Sequence, residues 1–436
     1  MSNYYKMFKI KDETFIYFPA SMILIKSDGA LEKLIEEGEK NMMRDLPGNF
    51  MQLISEENDT REYLRSLKLD NNSKRITSVQ INMINACNMR CKYCFADGGS
   101  HHKNSVMTKQ EAKEIIDFIF EHISGELLSV VIIGGEPMLN MPVFEYILSY
   151  CKDKALKKKI RVRFATTTNG TLLDIPSISL FDSYNVMPMI SQDSCDKATN
   201  DYLRCMASDK QSQYEILQTN KKILLSSKKR RAIHITITPF NKNFSKTAIN
   251  FYEEGFYHVH LDFVKSEMDN FQFAEEDINF MEEQFDILLQ YILKCIDKNK
   301  VISCHPLTDD INRIHKRIPR LRKCNVLNGL YAFSPEGNIY PCDVLMYDEY
   351  ESGDIYAGIN DDKILEIQKN RQLSKECVEC WARYICGGKC FAELVTTGEI
   401  NSQFICAMRQ HMAKLSLYIY YYIQKNNPEY LNNYLK

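Results

Sequence analysis

The stretch INACNMRCKYCFADGG, residues 84–99, places three cysteines within eight residues, at Cys87, Cys91 and Cys94. It continues the β-rich run TSVQINMI. Three thiolates on one short loop can bind three irons of a [4Fe-4S] cluster and leave the fourth iron without a protein ligand. A structural zinc ion instead needs a closed set of four nitrogen or sulfur ligands. Because the loop contains no fourth cysteine, the spacing favours an iron-sulfur cluster with one open iron.

The composition of the 436-residue chain is that of an ordinary globular protein. Hydrophobic residues make up 44% of it, charged residues make up 26%, and the net charge is -2. This balance argues against a disordered chain and against binding to nucleic acid or to an anionic membrane. The first residues lack the apolar segment of a signal peptide, and no apolar run approaches the roughly 18 residues that span a bilayer. We therefore expect a cytoplasmic protein with no membrane and no nucleic-acid partner.

The chain contains 15 cysteines, and an odd number argues against a closed set of disulfides. Besides the three in the first loop, seven lie between Cys324 and Cys406 and five are scattered. In a reducing compartment clustered thiols usually bind metal, whereas scattered thiols pack as small hydrophobic side chains. We expect packing roles for Cys151, Cys195, Cys205 and Cys295.

Six β-rich runs alternate with helical patterns in the middle of the chain. They cover residues 78–84, 129–133, 160–165, 185–190, 232–238 and 257–263. Several of these runs, such as SVVIIGG, are apolar almost throughout, as expected of parallel strands that are covered on both faces. Six such strands with intervening helices predict an α/β fold, a partial (β/α)6 barrel with its site at the carboxyl ends of the strands.

The cysteine loop resembles the defining motif of the radical S-adenosylmethionine (SAM) superfamily, in which an aromatic residue, here Tyr93, precedes the last cysteine. Further motifs that resemble the family follow the predicted strands in order, namely GGEP (134–137), TTTNG (166–170) and SQDS (191–194). Arg204 stands where the family often has an arginine that faces the SAM carboxylate. The family usually has glycine where this chain has Ser194, so we expect a different turn there.

The resemblance extends over about residues 77–265 and implies a set of SAM-binding residues. They are Tyr93, Gly134, Gly135, Glu136, Pro137, Thr168, Asn169, Ser191, Asp193 and Arg204. The carboxylate of Glu136 would pair with the amino group of SAM, and the two glycines would let the backbone approach this ligand closely.

The resemblance also implies the chemistry. The open iron would bind the amino and carboxylate groups of SAM, and an electron from the cluster would cleave a carbon-sulfur bond. The resulting 5'-deoxyadenosyl radical would abstract a hydrogen atom from the substrate inside a dry cavity. Asp193 and Asp262 lie at strand ends and are our candidate catalytic residues, although Asp262 could instead pair with a lysine. The expected reductant is a flavodoxin or a ferredoxin.

The second group of cysteines resembles the SPASM extension of radical SAM enzymes that modify peptides and proteins. The resemblance implies two auxiliary [4Fe-4S] clusters, and therefore three clusters in all. The nearer cluster would be bound by Cys324, Cys342 and Cys390, and the farther one by Cys377, Cys380, Cys386 and Cys406. Either Cys304 is the fourth ligand of the nearer cluster, or one iron of this cluster stays open for substrate. We favour the open iron. The alternative for the whole segment is a pair of zinc knuckles.

We predict four regions along the chain. A small α+β module with its linker would occupy residues 1–76, the radical SAM core 77–299, a loop-rich SPASM domain 300–412 and a helical tail 413–436. Within the first region, ETFIYFPASMILIKS predicts a hairpin, GALEKLIEEGEKNMMRDL a helix and LDNNSKR a linker.

Three functions fit this organisation. The first is a maturase of a ribosomally made peptide (RiPP), which would form a thioether or a carbon-carbon crosslink. Such enzymes often carry a winged-helix-like module that binds the leader sequence of the precursor peptide by adding a strand to its sheet. The second is an anaerobic sulfatase-maturating enzyme, which converts Cys or Ser to formylglycine, but those relatives usually begin almost directly with the triple-cysteine strand. The third is a non-catalytic iron-sulfur carrier, which the complete set of SAM-binding motifs argues against.

Overall fold

The computed structural model describes most of the chain. The described residues are 4–40, 47–67, 75–101, 103–208, 210–227, 229–266, 268–369, 373–396 and 402–434. Residues 41–46 of the first predicted helix, and all but the last residue of the predicted linker, lie outside them. None of the helices in these ranges has the length and apolar character to cross a membrane.

An antiparallel three-stranded sheet and two helices form the N-terminal module. The elements are β1 (Lys6–Ile10), β2 (Glu13–Phe18), β3 (Ile23–Lys26), α1 (Ala30–Lys40) and α2 (Gly48–Ser66). The predicted hairpin is β2 with β3. Strand β1 and helix α2 were not predicted, and α2 has a weak apolar pattern because its buried residues are only Phe50, Ile54 and Glu57.

The rest of the chain is built on one large sheet. Its strands are β4 (Ser78–Asn82), β5 (Leu127–Ile133), β6 (Arg161–Thr168), β7 (Val186–Ser191), β8 (Ala232–Ile237), β9 (His258–Phe263), β10 (Ser303–His305), β11 (Leu330–Phe333) and β12 (Ile339–Tyr340). A separate small pair consists of β13 (Gly353–Asp354) and β14 (Gly358–Ile359). All six predicted strands are present, each within a few residues of the predicted bounds.

Helices connect and cover these strands. The helices that follow strands β4 to β9 are α3 (Lys109–His122), α4 (Met141–Lys158), α5 (Ile175–Tyr184), α6 (Lys197–Leu203), α7 (Gln213–Ser226), α8 (Phe244–Glu254) and α9 (Asp277–Asp297). The later helices are α10 (Ile311–Lys316), α11 (Asp361–Lys369), α12 (Lys375–Glu379), α13 (Arg383–Cys386), α14 (Phe391–Thr396), α15 (Ser402–Asn426) and α16 (Pro428–Tyr434). Helix α3 begins with the capping box formed by Thr108 and Glu111.

The order of the strands is β10-β9-β8-β7-β6-β5-β4-β11-β12. Every neighbouring pair is parallel except the β11-β12 hairpin. Strands β4 to β9 therefore form the predicted partial (β/α)6 barrel, and their carboxyl ends lie at one rim. The loops that carry the family motifs follow these carboxyl ends.

The observed elements cross two of the predicted region boundaries. Strands β10, β11 and β12 come from the region predicted to be SPASM, yet they extend the sheet of the core on both sides. The boundary at residue 299 therefore divides one sheet. Helix α15 runs from Ser402 to Asn426, so the boundary between residues 412 and 413 falls inside a helix.

Helix α15 joins the N-terminal module to the rest of the molecule. The ring of Phe15 in β2 packs edge-on against Tyr418 and Tyr421 of α15, with centroid distances of 5.8 and 4.9 Å. On the same face of the module, Phe8 lies 5.9 Å from the ring of Trp381. The opposite face of the sheet packs against α2 through a second, smaller hydrophobic cluster. Both faces of the three-stranded sheet are therefore covered.

Candidate active site

The triple-cysteine loop lies between β4 and α3, at the rim of the barrel. Its three cysteines are half-buried. Burial raises the pKa of the Cys91 thiol to about 12, and the nearby Arg204 guanidinium offsets part of this rise. The charges of Cys87 and Cys94 also act on Cys91, so the three thiols form one electrostatically coupled group. Three coupled thiols beside a buried cation fit the ligand set of an iron-sulfur cluster with one open iron.

The glycines of the GGEP motif bring its backbone against the cysteine loop. The Gly135 N–H donates to the carbonyl of Ile84 at 2.8 Å, and the Glu136 N–H donates to that of Ala86 at 2.9 Å. A Cβ atom on Gly135 would lie 2.3 Å from the carbonyl oxygen of Ala86, and one on Gly134 would lie 2.9 Å from that of Ile84. The glycines therefore allow a close approach to the protein's own cysteine loop, and their approach to SAM stays a prediction.

Glu136 is fully buried and joins the ends of two strands. Its carboxylate accepts hydrogen bonds from the Thr168 hydroxyl and the Asn169 N–H, both at 2.7 Å, and from the Met138 N–H at 3.1 Å. Burial nevertheless raises the pKa of this carboxyl. Pro137 begins the short turn that follows and is also buried. Glu136 thus holds the carboxyl ends of β5 and β6 together, and its pairing with the amino group of SAM stays a prediction.

Asn169 connects the end of β6 to the cysteine loop. Its side-chain amide donates to Asn88 Oδ1 at 2.8 Å and lies 3.8 Å from Cys87 Sγ. The side-chain Oδ1 of Asn169 accepts from the Thr171 N–H at 2.9 Å. The predicted SAM-binding residue Asn169 therefore also orients the first cysteine.

A buried network of Tyr93, Asp193 and Arg204 lies beside the cysteines. The Tyr93 hydroxyl donates to Asp193, and Arg204 Nη1 is 3.6 Å from Asp193 Oδ1. The same carboxylate accepts the Thr236 N–H of β8 at 3.0 Å. Burial raises the pKa of Asp193, an effect that Arg204 and Tyr93 oppose. Because Asp193 is fully buried and already bonded, its geometry suits a positioning role better than proton transfer.

The turn after Asp193 accommodates the serine that replaces the usual glycine. Ser194 does not have a positive φ, so its backbone conformation is open to any residue. Its carbonyl accepts from Gln192 Nε2 at 3.0 Å, and its hydroxyl accepts from the Asp196 N–H at 3.0 Å. Ser191, the preceding motif residue, is buried at the end of β7.

Asp262 forms an ion pair with Lys265, which is one of the two roles that the sequence suggested for Asp262. Burial raises the pKa of Asp262, but Lys265 and His260 lower it by more, and it lies well below its usual range. A carboxyl with such a low pKa is a weak base near neutral pH. The charge of Lys265 also acts on Cys390, so this pair lies between the barrel and the second group of cysteines.

Electrostatic interactions link cysteines within each of the two predicted sets, and their assignment to two clusters stays a prediction. Burial raises the pKa of Cys342, and the charges of Cys390 and Cys324 raise it further. Burial likewise raises the pKa of Cys380, and the charges of Cys386, Cys377 and Cys406 add to this effect. The four cysteines of the farther set line one partly open pocket. Arg383 and Arg409 also line it and would offset the negative charge of a thiolate-bound cluster.

Cys304 belongs to the barrel rather than to either set. It lies in β10, is fully buried, and pairs in register with Val259 of β9. Burial raises the pKa of its thiol to about 12, and the side chains that act on it are Tyr252 and Asp309. This environment favours the alternative in which the nearer set has three cysteines.

Asp343 is a carboxyl beside Cys342 that the sequence did not single out as a candidate. It follows Cys342 directly, and its N–H donates to Gln80 Oε1 of β4 at 3.1 Å. Burial raises the pKa of its carboxyl. The signal that the sequence offered for Asp343 was its position directly after Cys342, a predicted cluster ligand.

Comparison with known proteins defines the class. The family model of the Radical SAM superfamily matches residues 81–243. These residues, with their triple-cysteine loop and parallel barrel, form a radical SAM domain. The chain therefore carries the enzyme domain of a superfamily that uses SAM and a [4Fe-4S] cluster.

Particular relatives fall into two groups. The radical SAM cyclopropyl synthase TigE of Paramaledivibacter caminithermalis is 31% identical over 145 residues, which are 29% of this chain and 30% of TigE. The match thus spans less than a third of that protein. A cysteine-type anaerobic sulfatase-maturating enzyme of Clostridium novyi is 24% identical over 286 residues, which are 61% of this chain and 73% of that enzyme.

Solved structures share the fold of the chain. Native anSMEcpe with bound AdoMet, a sulfatase maturase, superimposes with a TM-score of 0.64 at 17% identity, covering 83% of this chain and 100% of that chain. Streptococcus suis SuiB, a RiPP maturase, superimposes with a TM-score of 0.53 at 15% identity, covering 92% of this chain and 97% of that chain. At these identities the likeness concerns the fold alone.

Proposed function

We propose that this chain is a radical SAM peptide maturase that oxidatively modifies a ribosomally made precursor peptide, forming a thioether or a carbon-carbon crosslink. Bound at the open iron, SAM would supply a 5'-deoxyadenosyl radical that takes a hydrogen atom from the peptide. Cys87, Cys91 and Cys94 would hold the cluster, and the Tyr93, Asp193 and Arg204 network would shape the SAM site. The burial of Asp193 and Arg204 supports a site that is shielded from water.

One observation carries this proposal: strand β3 is an edge strand of the N-terminal sheet. Strand β3 pairs with β2 and with no other strand in the described part of the chain. The Ser27 N–H donates to the Thr14 carbonyl at 2.8 Å, so the alternation of an antiparallel ladder directs the N–H groups of Leu24 and Lys26 outward. An extended leader peptide can bind such an edge as an additional strand. In support, SuiB bound to its precursor peptide SuiA superimposes on this chain with a TM-score of 0.50.

We further propose two auxiliary [4Fe-4S] clusters, a SPASM-type assignment for the C-terminal cysteines, and a flavodoxin or ferredoxin as reductant. The two coupled cysteine sets support the clusters. Together with the first cluster they would make three per chain. An auxiliary cluster is a suitable acceptor for the electron that the peptide loses, because it lies within the same protein.

The alternative is an anaerobic sulfatase-maturating enzyme that forms formylglycine. The observation that favours it is the sulfatase-maturase fold, whose whole length superimposes on this chain. That enzyme would need a cysteine or serine of a sulfatase in its barrel, and it would not need a leader-binding edge at β3. The two candidates therefore differ in whether the N-terminal module contributes to substrate affinity.

The test uses the anaerobically reconstituted full chain and the peptide encoded by a short open reading frame beside the gene. We expect mass loss of two hydrogens per crosslink in the peptide and no formylglycine in a sulfatase-derived peptide. Lys26→Pro removes one outward N–H of β3 and should weaken peptide binding about tenfold or more, while SAM cleavage without peptide is retained. The matched control Lys26→Ala removes the same charge but keeps the N–H and should bind normally. Formylglycine formation with an unaltered precursor peptide would contradict the proposal.

A further inference from the structure

Three histidines lie side by side across neighbouring strands of the barrel. His234 of β8 pairs in register with His260 of β9, which pairs with His305 of β10. The ring centroids of His234 and His260 are 5.2 Å apart, and those of His260 and His305 are 4.1 Å apart with the rings stacked. We call these three residues the histidine row.

The histidine row faces the interior of the barrel. Ile233 and Val259, which alternate with the histidines along the strands, are fully buried, and helix α8 packs against both strands. Successive side chains of a strand point to opposite faces, so the histidines project into the barrel. They are half-buried although their strands lie in the core of the sheet, as expected of side chains that line a cavity.

The register places the row at the level of the SAM-binding motifs. His234 pairs with Ser191 of β7, one of the predicted SAM-binding residues. The Gln192 N–H donates to the carbonyl of His234 at 3.0 Å, which ties the SQDS loop to this level. A peptide side chain that approaches SAM from the barrel interior would therefore meet the imidazoles of His234 and His260.

Burial favours the neutral form of the rings, in which one nitrogen of each ring has a free lone pair, but it also makes each ring a weaker base than free imidazole. Burial lowers the pKa of His234 to about 4, and it also lowers that of His260. The Asp262 carboxylate opposes this effect at both rings, whereas Arg204 and Lys265 add to it at His234. At the far end of the row, His305 pairs with Asp309. Deeper in the barrel, His258 Nδ1 is 2.8 Å from the Ser303 hydroxyl.

The ring nitrogens of His234 and His260 form no hydrogen bond with any side chain or backbone group in the part of the chain that the structure describes. Both carboxylates that the sequence suggested as catalytic residues are engaged instead, Asp193 by Tyr93 and the Thr236 N–H, and Asp262 by Lys265. Of these four described side chains, the two imidazoles are therefore the ones whose acceptor atoms are not already engaged.

We propose that His260, with His234 beside it, accepts the proton that the peptide loses during its oxidation. The inference rests on the proposed peptide-maturase function. A hydrogen atom passes from a peptide carbon to the deoxyadenosyl carbon, which leaves a carbon radical. This carbon then bonds to a peptide sulfur as the S–H bond breaks, the proton goes to the free imidazole nitrogen, and one electron goes to an oxidised [4Fe-4S] cluster of the chain. For a carbon-carbon crosslink, the proton comes from the attacked carbon.

The experiment compares His260→Ala, His234→Ala and the double variant in the reconstituted full chain. The probe is the peptide encoded beside the gene, with SAM and dithionite. Two quantities are measured: crosslinked peptide formed per 5'-deoxyadenosine, and the dissociation constant for SAM. His315→Ala is the matched control, since His315 is an exposed histidine of helix α10.

We expect the double variant to form 5'-deoxyadenosine but about 100-fold less crosslink per molecule of it, the usual size of a general-base contribution. Free imidazole should restore crosslinking in His260→Ala, which a purely structural role would not allow. An unchanged ratio in the double variant would overturn the inference, and so would weakened SAM binding that accounts for the whole loss. If the wild-type protein cleaves SAM but takes no hydrogen from the peptide, the proposed function fails and this inference fails with it.

Discussion

Gly135 fixes the distance between the GGEP turn and the cysteine loop. A Cβ at this position would lie 2.3 Å from the Ala86 carbonyl, one residue before Cys87. The atoms that the new Cβ would meet belong to the backbone, so the Cβ could be accommodated only if the cysteine loop shifted. Gly135→Ala should therefore lower the free energy of unfolding by about 3 kcal/mol and reduce the iron bound at the first site. The measurements are urea unfolding of the iron-free protein and iron content after reconstitution.

Gly48→Ala provides the comparison for this variant. A Cβ on Gly48 meets no atom within 4 Å, and its backbone does not need a positive φ. We expect wild-type stability and iron content there. Equal behaviour of the two variants would show that the contact between Gly135 and Ala86 does not position the cysteine loop.

The sequence suggested which residues lie near the cysteine loop, but not how these residues bond to one another. The spacing of Cys87, Cys91 and Cys94 and the position of Tyr93 were sufficient to locate the loop. The internal bonds of Glu136 to Thr168 and Asn169 could not be predicted, because they join residues more than 30 positions apart that meet only in the folded sheet. The histidine row could not be predicted for the same reason, because each of its members lies on a different strand.

Glu57 attaches helix α2 to the sheet of the N-terminal module. Its fully buried carboxylate accepts from the N–H groups of Ala20 and Ser21, both at 2.9 Å, and pairs with Arg61 at 2.9 Å. Glu57→Gln keeps the shape but leaves Arg61 without its counter-charge. We expect a loss of about 3 kcal/mol in the free energy of unfolding of the module, together with weaker peptide binding and unchanged SAM cleavage. Thermal unfolding followed by limited proteolysis measures the first effect.

Glu62→Gln on the same helix is the control for this change. Glu62 is exposed and contacts Asn58 within the helix. It should leave both stability and peptide affinity unchanged. If Glu57→Gln behaves in the same way, the carboxylate of Glu57 does not hold the module together.

Long apolar runs were the elements that the sequence predicted well. Strands β4 to β9 each carry enough β-branched and apolar residues to be recognised, and helix α9 is long and amphipathic. Strands β10 and β12 have only three and two residues, which is too short for a periodic signal. Their pairing with the core sheet is set by the fold, so the sheet continues beyond the strands of the predicted barrel.

The molecule as a whole is expected to carry three clusters, or about 12 irons per chain. Cys380 belongs to the farther auxiliary set, whose four cysteines line one pocket. Cys380→Ala should therefore lower the iron content to about 8 per chain and abolish peptide crosslinking, while SAM cleavage without peptide continues. Iron and zinc analysis of the anaerobically reconstituted protein gives the count.

Cys151→Ala is the matched control for cluster loss. Cys151 is buried in the core, and burial alone raises the pKa of its thiol. This variant should keep all of its iron. An iron content that does not fall in Cys380→Ala, or zinc at the C-terminal site, would contradict the assignment of auxiliary clusters.

The most direct test of the whole account is the reductive cleavage of SAM by the wild-type protein and by Cys91→Ala. Cys205→Ala serves as the comparison, because its thiol donates to the carbonyl of Arg90 within the same loop region and is not a predicted ligand. We predict that the wild-type protein and Cys205→Ala form 5'-deoxyadenosine and methionine in equal amounts, whereas Cys91→Ala loses about four irons and forms neither product. Cleavage at the wild-type rate by Cys91→Ala, or no cleavage by fully loaded wild-type protein, would contradict the account.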